Sequence, residues 1–288
     1  MQHKSRNINM LLPLLWLLVA CMATPDKKAN SVPRSIPAKQ SGARDTQINI
    51  HGIAFWVQSP ADSVTCVGDL LLLPGWDFTN RKWCDSTDVC KTALKKGYRV
   101  LAPQMMRSVY ATRYFNETRP DLRRYPTLAQ LDSALEGLSL NHGFFKQHNL
   151  VLGLSTGARG VALLCERKPG FFHAAAALSG DYNQVTMPGD NLMRLTYGNY
   201  AQFAKRWKNT DNPQTAADSL KTPLYLGHGA RDRVVPVSQT REFNAALAKR
   251  TSHQSQVVLH INPAAGHNFA YWRSELPAVW DFFMRNPQ

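Results

Sequence analysis

The chain alternates short, unbroken apolar runs with helical stretches, and this rhythm limits its fold more than any other feature. Residues 69–73, 98–102, 150–154, 174–178, 224–226 and 257–261 are each too short for a buried helix and show no polar alternate face. They read as strands covered on both sides. Helical periodicity falls between them, at about 87–96, 128–145, 157–167, 238–249 and 274–284. Strands separated by helices need crossover connections, so the predicted sheet is mainly parallel, with helices on both faces. Functional side chains in such a sheet gather at the carboxyl ends of its strands. Residues 47–57 alternate instead, with Ile48, Ile50, Ile53, Phe55 and Val57, and suit outer antiparallel strands.

With 288 residues, 44% hydrophobic and 10% aromatic, the chain can build one large α/β domain, assigned to 46–288. The longest break in the rhythm is 181–222, which holds Tyr197, Tyr200, Phe203 and Trp207 at partly helical spacing. Two readings stay open for it: a small cap over the mouth of a site, or a surface insertion with its own apolar contact.

The N-terminus reads as a targeting segment. Lys4 and Arg6 precede an apolar run over residues 10–20, too short to cross a bilayer as a helix, so 1–20 is predicted to be a signal peptide. The closing Leu18-Val19-Ala20-Cys21 resembles the lipobox of bacterial lipoproteins. That resemblance implies lipid modification of Cys21 and membrane attachment at a bacterial cell envelope. Met22, in place of aspartate, leans towards an outer membrane. Residues 21–45 are rich in Pro, Ser, Ala and Lys and read as a flexible tether spanning roughly 25–30 Å. The net charge of +14 falls to +12 once Lys4 and Arg6 leave with the signal. These charges are spread along the chain without a basic stripe of interleaved aromatics, which argues against nucleic acid as a partner. Export permits disulfides, and Cys84 and Cys90, around a helix start at 85–87, are the candidate pair. Cys165 falls on the apolar face of a predicted helix, and no Cys/His spacing suggests a metal site.

Three segments carry chemistry. Residues 150–160 are an apolar run interrupted by Gly153-Leu154-Ser155-Thr156-Gly157 and continued by a helix. A serine on such a strand-to-helix turn is aimed out of the core, and glycines at both flanks remove clashing side chains. A serine hydroxyl needs a base, and the base needs a carboxylate to fix its tautomer. Asp232, in His228-Gly229-Ala230-Arg231-Asp232-Arg233-Val234-Val235-Pro236, follows one buried strand, and His267, after Ala265-Gly266, follows the last. In the order Ser155, Asp232, His267, these segments resemble the nucleophile elbow, acid loop and histidine loop of the α/β-hydrolase fold, from about Ile48 to the C-terminus.

The resemblance implies an α/β-hydrolase fold and a serine hydrolase without metal or organic cofactor: Ser155 as nucleophile, His267 as base then acid, Asp232 as orienting carboxylate. It also implies an oxyanion hole from the backbone N–H groups of Thr156 and Trp76, although Pro74-Gly75-Trp76 stands where the family commonly has His-Gly-x. Asp181, after another buried strand, is the alternative acid, and His228 reads as support for the Asp232 turn. Arg107, Arg113, Arg119, Arg123 and Arg124 leave a strand at the same edge, so the loop is either solvated or lines a site for an anionic small-molecule or peptide acyl substrate. The expected activity is carboxylesterase-like. A peptidase or amidase on the same scaffold, and a catalytically inactive ligand-binding lipoprotein, stay open beside it.

Overall fold

A computed structural model of the chain describes residues 44–249 and 256–286. The signal segment, Cys21 and nearly all of the tether lie outside the described residues.

Eight strands form one sheet in the order β1-β2-β4-β3-β5-β6-β7-β8. The strands are β1 (Arg44–Ile50), β2 (Ile53–Ser59), β3 (Gly68–Leu73), β4 (Tyr98–Pro103), β5 (His148–Leu154), β6 (Ala174–Leu178), β7 (Leu224–Gly229) and β8 (Val257–Asn262). The first two are antiparallel additions at one edge, and all pairings from β4 to β8 are parallel. This is the mostly parallel α/β-hydrolase architecture that the apolar runs predict.

Continuous apolar sequence makes sense here because alternate residues of one strand enter different cores. Leu71 and Leu73 pack with helices α3 (Leu128–His142), α4 (Thr156–Arg167) and α7 (Ser238–Ala248). Leu70 and Leu72 face the opposite side, with α1 (Lys82–Ser86), α2 (Val89–Lys95) and α8 (Phe269–Arg285). Each fully buried leucine contributes about 1.5–3 kcal/mol.

Three boundaries differ from the sequence reading. β1 begins at Arg44, inside the segment assigned to the tether, because Arg44 pairs with Asp62 at 2.5 Å and Asp45 accepts a hydrogen bond from Gln58 at 2.8 Å. His51 and Gly52, with φ of 49° and 76°, then turn the 47–57 stretch into a hairpin. The stretch at 87–96 forms α2, and a separate short helix, α1, precedes it and is joined to it by a Cys84–Cys90 disulfide. α8 starts at Phe269 rather than at 274, since Asn268 caps it by accepting the Tyr271 N–H at 3.0 Å.

Residues 181–222 hold α5 (Asn191–Tyr197), α6 (Tyr200–Asn209) and two 3-10 turns. Their buried Met193, Tyr197 and Trp207 pack with Val109 and Ala111 of the loop after β4 and with Trp76. The insertion therefore has an apolar centre shared with the loops at the strands' carboxyl ends.

Candidate active site

Ser155 is the hinge between β5 and α4, with φ 54° and ψ −126°, a conformation that non-glycine residues avoid. Its neighbours show why that turn must be lined by glycine. A Cβ on Gly153 would fall 2.3 Å from the Gly157 carbonyl oxygen, and one on Gly157 would fall 2.4 Å from the Leu73 carbonyl oxygen. The Ser155 N–H donates to the Leu178 carbonyl at 2.8 Å, which fastens the turn to β6.

From the serine a line of hydrogen bonds runs inward. Ser155 Oγ lies 3.0 Å from His267 Nε2, and His267 Nδ1 lies 2.6 Å from Asp232 Oδ2. Residues 112 and 35 positions apart in sequence thus meet because β5, β7 and β8 end on the same edge of the sheet. The Trp272 indole stands edge-on to the imidazole, with centroids 5.1 Å apart, and is itself held by Nε1–H donation to Ser179 Oγ at 3.1 Å.

The Asp232 side chain is fully buried on this line. Burial opposes its negative charge, but hydrogen bonds from His228 and His267 and the Val235 N–H outweigh burial and hold its pKa below the ordinary carboxylate value. Oδ1 accepts the N–H groups of Val234 and Val235 at 2.8 and 2.9 Å. His228 Nε2 lies 3.0 Å from the Val235 carbonyl and 3.3 Å from Asp232 Oδ2, while its Nδ1 accepts the Thr240 hydroxyl at 2.6 Å. His228 thus braces the acid turn and does not face the serine.

The loop after β3 passes beside the serine. A Cβ on Gly75 would fall 2.7 Å from Leu154 Cδ1 and 3.2 Å from Ser155 Cβ. Two donors pin the strand end ahead of it: Trp83 Nε1–H to Leu73 O at 3.0 Å and Tyr110 O–H to Pro74 O at 2.7 Å. Asp77 N–H and Phe78 N–H are satisfied by Met106 and Gly75 carbonyls. No acceptor among the described residues takes the N–H of Trp76 or of Thr156, the first residue of α4. Sequence reasoning did not find Trp83 or Tyr110, and no motif marks either.

Ser155 and His267 open into a cavity of about 450 Å³ lined by Trp76, Phe78, Leu192, Val234, Phe269 and Trp272, with Asn268 beside the histidine. Leu192 comes from α5, so the 181–222 insertion supplies part of the wall. Among the described residues, no Asp, Glu, Lys or Arg lines this cavity.

Two alternatives that the sequence left open find no support in the geometry. Asp181 is not near the imidazole line: it receives Arg159 Nη1–H at 3.0 Å inside the core. Burial raises its pKa to about 6 against the pull of Arg159. The arginines of the 104–125 loop do not line the cavity either. Arg107 pairs with Asp77, Arg119 with Asp121, Arg123 donates to the Thr118 and Asn116 carbonyls, and Arg113 and Arg124 lie over Phe115 and Tyr125. All of these partners except Asp77 lie within the same loop.

Fold and site together define an α/β-hydrolase-fold serine hydrolase. The sequence model of the prolyl oligopeptidase family matches residues 90–287, and the chain belongs to that family. No curated protein sequence matches the chain. Among solved structures it is similar to the fluorophosphonate-binding serine hydrolase F of Staphylococcus aureus, at 18% identity and TM-score 0.61, over 84% of this chain and 98% of that one. S-formylglutathione hydrolase of the same organism aligns at 17% identity and TM-score 0.63, over 84% and 99%. Acylaminoacyl peptidase of Pyrococcus horikoshii aligns at 14% and 0.63 over 85% of this chain but 41% of its own. At these identities the likeness is one of fold.

Proposed function

We propose that Ser155, His267 and Asp232 form a catalytic triad that hydrolyses an ester or related acyl bond through an acyl-enzyme. The observation that carries this reading is the unbroken line from Asp232 through His267 to Ser155, ending at an apolar cavity. His267 Nε2 takes the Ser155 proton as Oγ attacks the acyl carbon, and the same proton passes to the leaving group as the bond to it breaks. Water then repeats the sequence, with His267 as base, and releases the acid. The free N–H groups of Trp76 and Thr156 are suited to receive the oxyanion of both tetrahedral steps.

The uncharged lining favours neutral acyl groups, because a charged group brought there would lose water without gaining a partner. Ester hydrolysis is the reading preferred for that site. Membership of a peptidase family supports the second reading, cleavage of a peptide or amide by the same triad. We further propose that Cys21 is lipidated and tethers the enzyme to the cell envelope, on the strength of the lipobox-like residues 18–21.

Fluorophosphonate labelling of the purified protein tests the central proposal: wild type should label and Ser155→Ala should not. Labelling that survives Ser155→Ala refutes the assignment. Separately, Cys21→Ser should move the protein out of the membrane fraction, and unchanged fractionation would overturn the anchor.

A further inference from the structure

Arg159 lies one helical turn beyond Ser155 on α4 and is completely buried, yet the hydrolytic steps do not use it. A buried charge is costly unless it is paired, and here both terminal nitrogens are answered while Nε is not. Here the partners come from separate parts of the chain. Nη1 donates to Asp181 Oδ2 at 3.0 Å, at the end of β6. Nη2 donates to the Asp211 backbone carbonyl, beyond α6, and lies 3.4 Å from the Tyr197 hydroxyl, at the end of α5. The Tyr197 hydroxyl in turn donates to Asp211 Oδ2 at 3.1 Å, and the same oxygen accepts the Thr112 N–H at 2.9 Å. Asp211 itself holds a φ of 50°, a strained value that persists only where surrounding contacts fix it.

One guanidinium therefore joins the nucleophile helix to both helices of the insertion and, through Asp211, to the loop after β4. Leu192 stands five residues before Tyr197 on α5 and forms part of the wall of the Ser155 cavity. A buried ion pair is a poor source of net stability compared with apolar packing of equal volume, but removing one partner leaves the other charge buried and uncompensated. We propose that Arg159 is a positioning residue: by clamping Tyr197 and Asp211 to the nucleophile helix it holds Leu192 against the cavity and so sets which acyl groups fit over Ser155. The inference rests on the reading of Ser155 as nucleophile for its effect on turnover, but not for the clamp.

The test compares Arg159→Met, Arg159→Lys, Tyr197→Phe and Leu192→Ala in the full chain. Two readouts are taken: kcat and KM for p-nitrophenyl acetate and octanoate, and backbone hydrogen exchange. Arg159→Met should lower the octanoate-to-acetate ratio of kcat/KM about tenfold, mainly through KM, and speed exchange in α5 and α6 relative to β5. Tyr197→Phe, which deletes only a hydroxyl, should move both readouts the same way by less, and Arg159→Lys should restore part of each. Leu192→Ala should change the ratio without the exchange. Arg159→Met or Tyr197→Phe with both readouts as in wild type would overturn the proposal. If Arg159→Met does not fold, Tyr197→Phe decides by the same criterion. Should the wild type show no Ser155-dependent turnover, the triad reading fails, and faster exchange confined to α5 and α6 would still uphold the clamp while unchanged exchange would sink it.

Discussion

Replacing Asp232 by asparagine changes one atom in the active site and should disable it through a tautomer. In the native site Oδ1 is occupied by the Val234 and Val235 N–H groups, so Oδ2 is the atom that faces His267 Nδ1 at 2.6 Å. An asparagine that keeps its oxygen on the two loop amides must turn its NH₂ towards the imidazole. His267 then carries its proton on Nε2, pointing at Ser155 Oγ, and has no lone pair with which to take the serine proton. The expected loss in kcat is about 10⁴-fold, the size seen when a triad loses its acid but keeps its geometry. Stability should fall too, by roughly 1–2 kcal/mol, because a charge-assisted bond at 2.6 Å gives way to a neutral amide-to-imidazole bond.

The variant carries a pH signature as well. The folded-state pKa of Asp232 lies below the ordinary 3.8, so its stabilising contribution is complete above pH 3.8 and is lost as the pH falls through the lower folded value. Asp232→Asn should flatten that acid limb. Steady-state ester hydrolysis at pH 7.5 and urea unfolding from pH 2 to 7 measure both effects. Activity within tenfold of wild type, or an equal loss in Asp181→Asn, would refute the assignment of Asp232 as the acid.

Asp181 predicts a dependence of the opposite sign: its pKa is raised to about 6, so its contribution is full below pH 3.8 and is lost as pH rises through 6. Urea midpoints between pH 4.5 and 7.5 should therefore decline less steeply in Asp181→Asn than in wild type. Gly157→Ala should remove activity and about 1–3 kcal/mol of stability, since its methyl would meet the backbone oxygens of Leu73 and Pro74 at 2.4 and 2.7 Å and displace the loop bearing Trp76. Circular dichroism melts with fluorophosphonate labelling check this, and native labelling would contradict it. Reduction of the Cys84–Cys90 bridge closes no long loop, with a sequence separation of 6, so the Cys84→Ser/Cys90→Ser protein should lose only about 2 kcal/mol in urea unfolding.

Much of the scaffold was legible because its signals are local. Runs such as 70–73 and 150–154 lack polar side chains because both faces of the sheet are covered, and the helices between them imply the crossovers and the shared strand edge. Ser155, Asp232 and His267 could be found for the same reason: each sits in a short loop directly after such a run. Boundaries failed where a side chain overruled the pattern, as when Asn268 capped α8 five residues early.

The arginines show the opposite case, in which residue type is visible but its use is not. Five arginines in the 104–125 loop left a solvated loop and an anionic-ligand site both open, and each is engaged by a carboxylate, a carbonyl or a ring, all but Asp77 within the loop itself. Arg159 sits in a helix directly after the Gly-x-Ser-x-Gly turn, and nothing in its local sequence marks it as buried. Its burial depends on Tyr197 and Asp211, 38 and 52 positions later, closing over it. The three loops that carry Ser155, Asp232 and His267 share one sheet edge, but part of the cavity wall over Ser155 comes from an insertion that must be held to that edge. In this chain the attachment falls one turn from the nucleophile, so a substitution that loosens the insertion should change acyl selectivity before it changes the chemistry at Ser155.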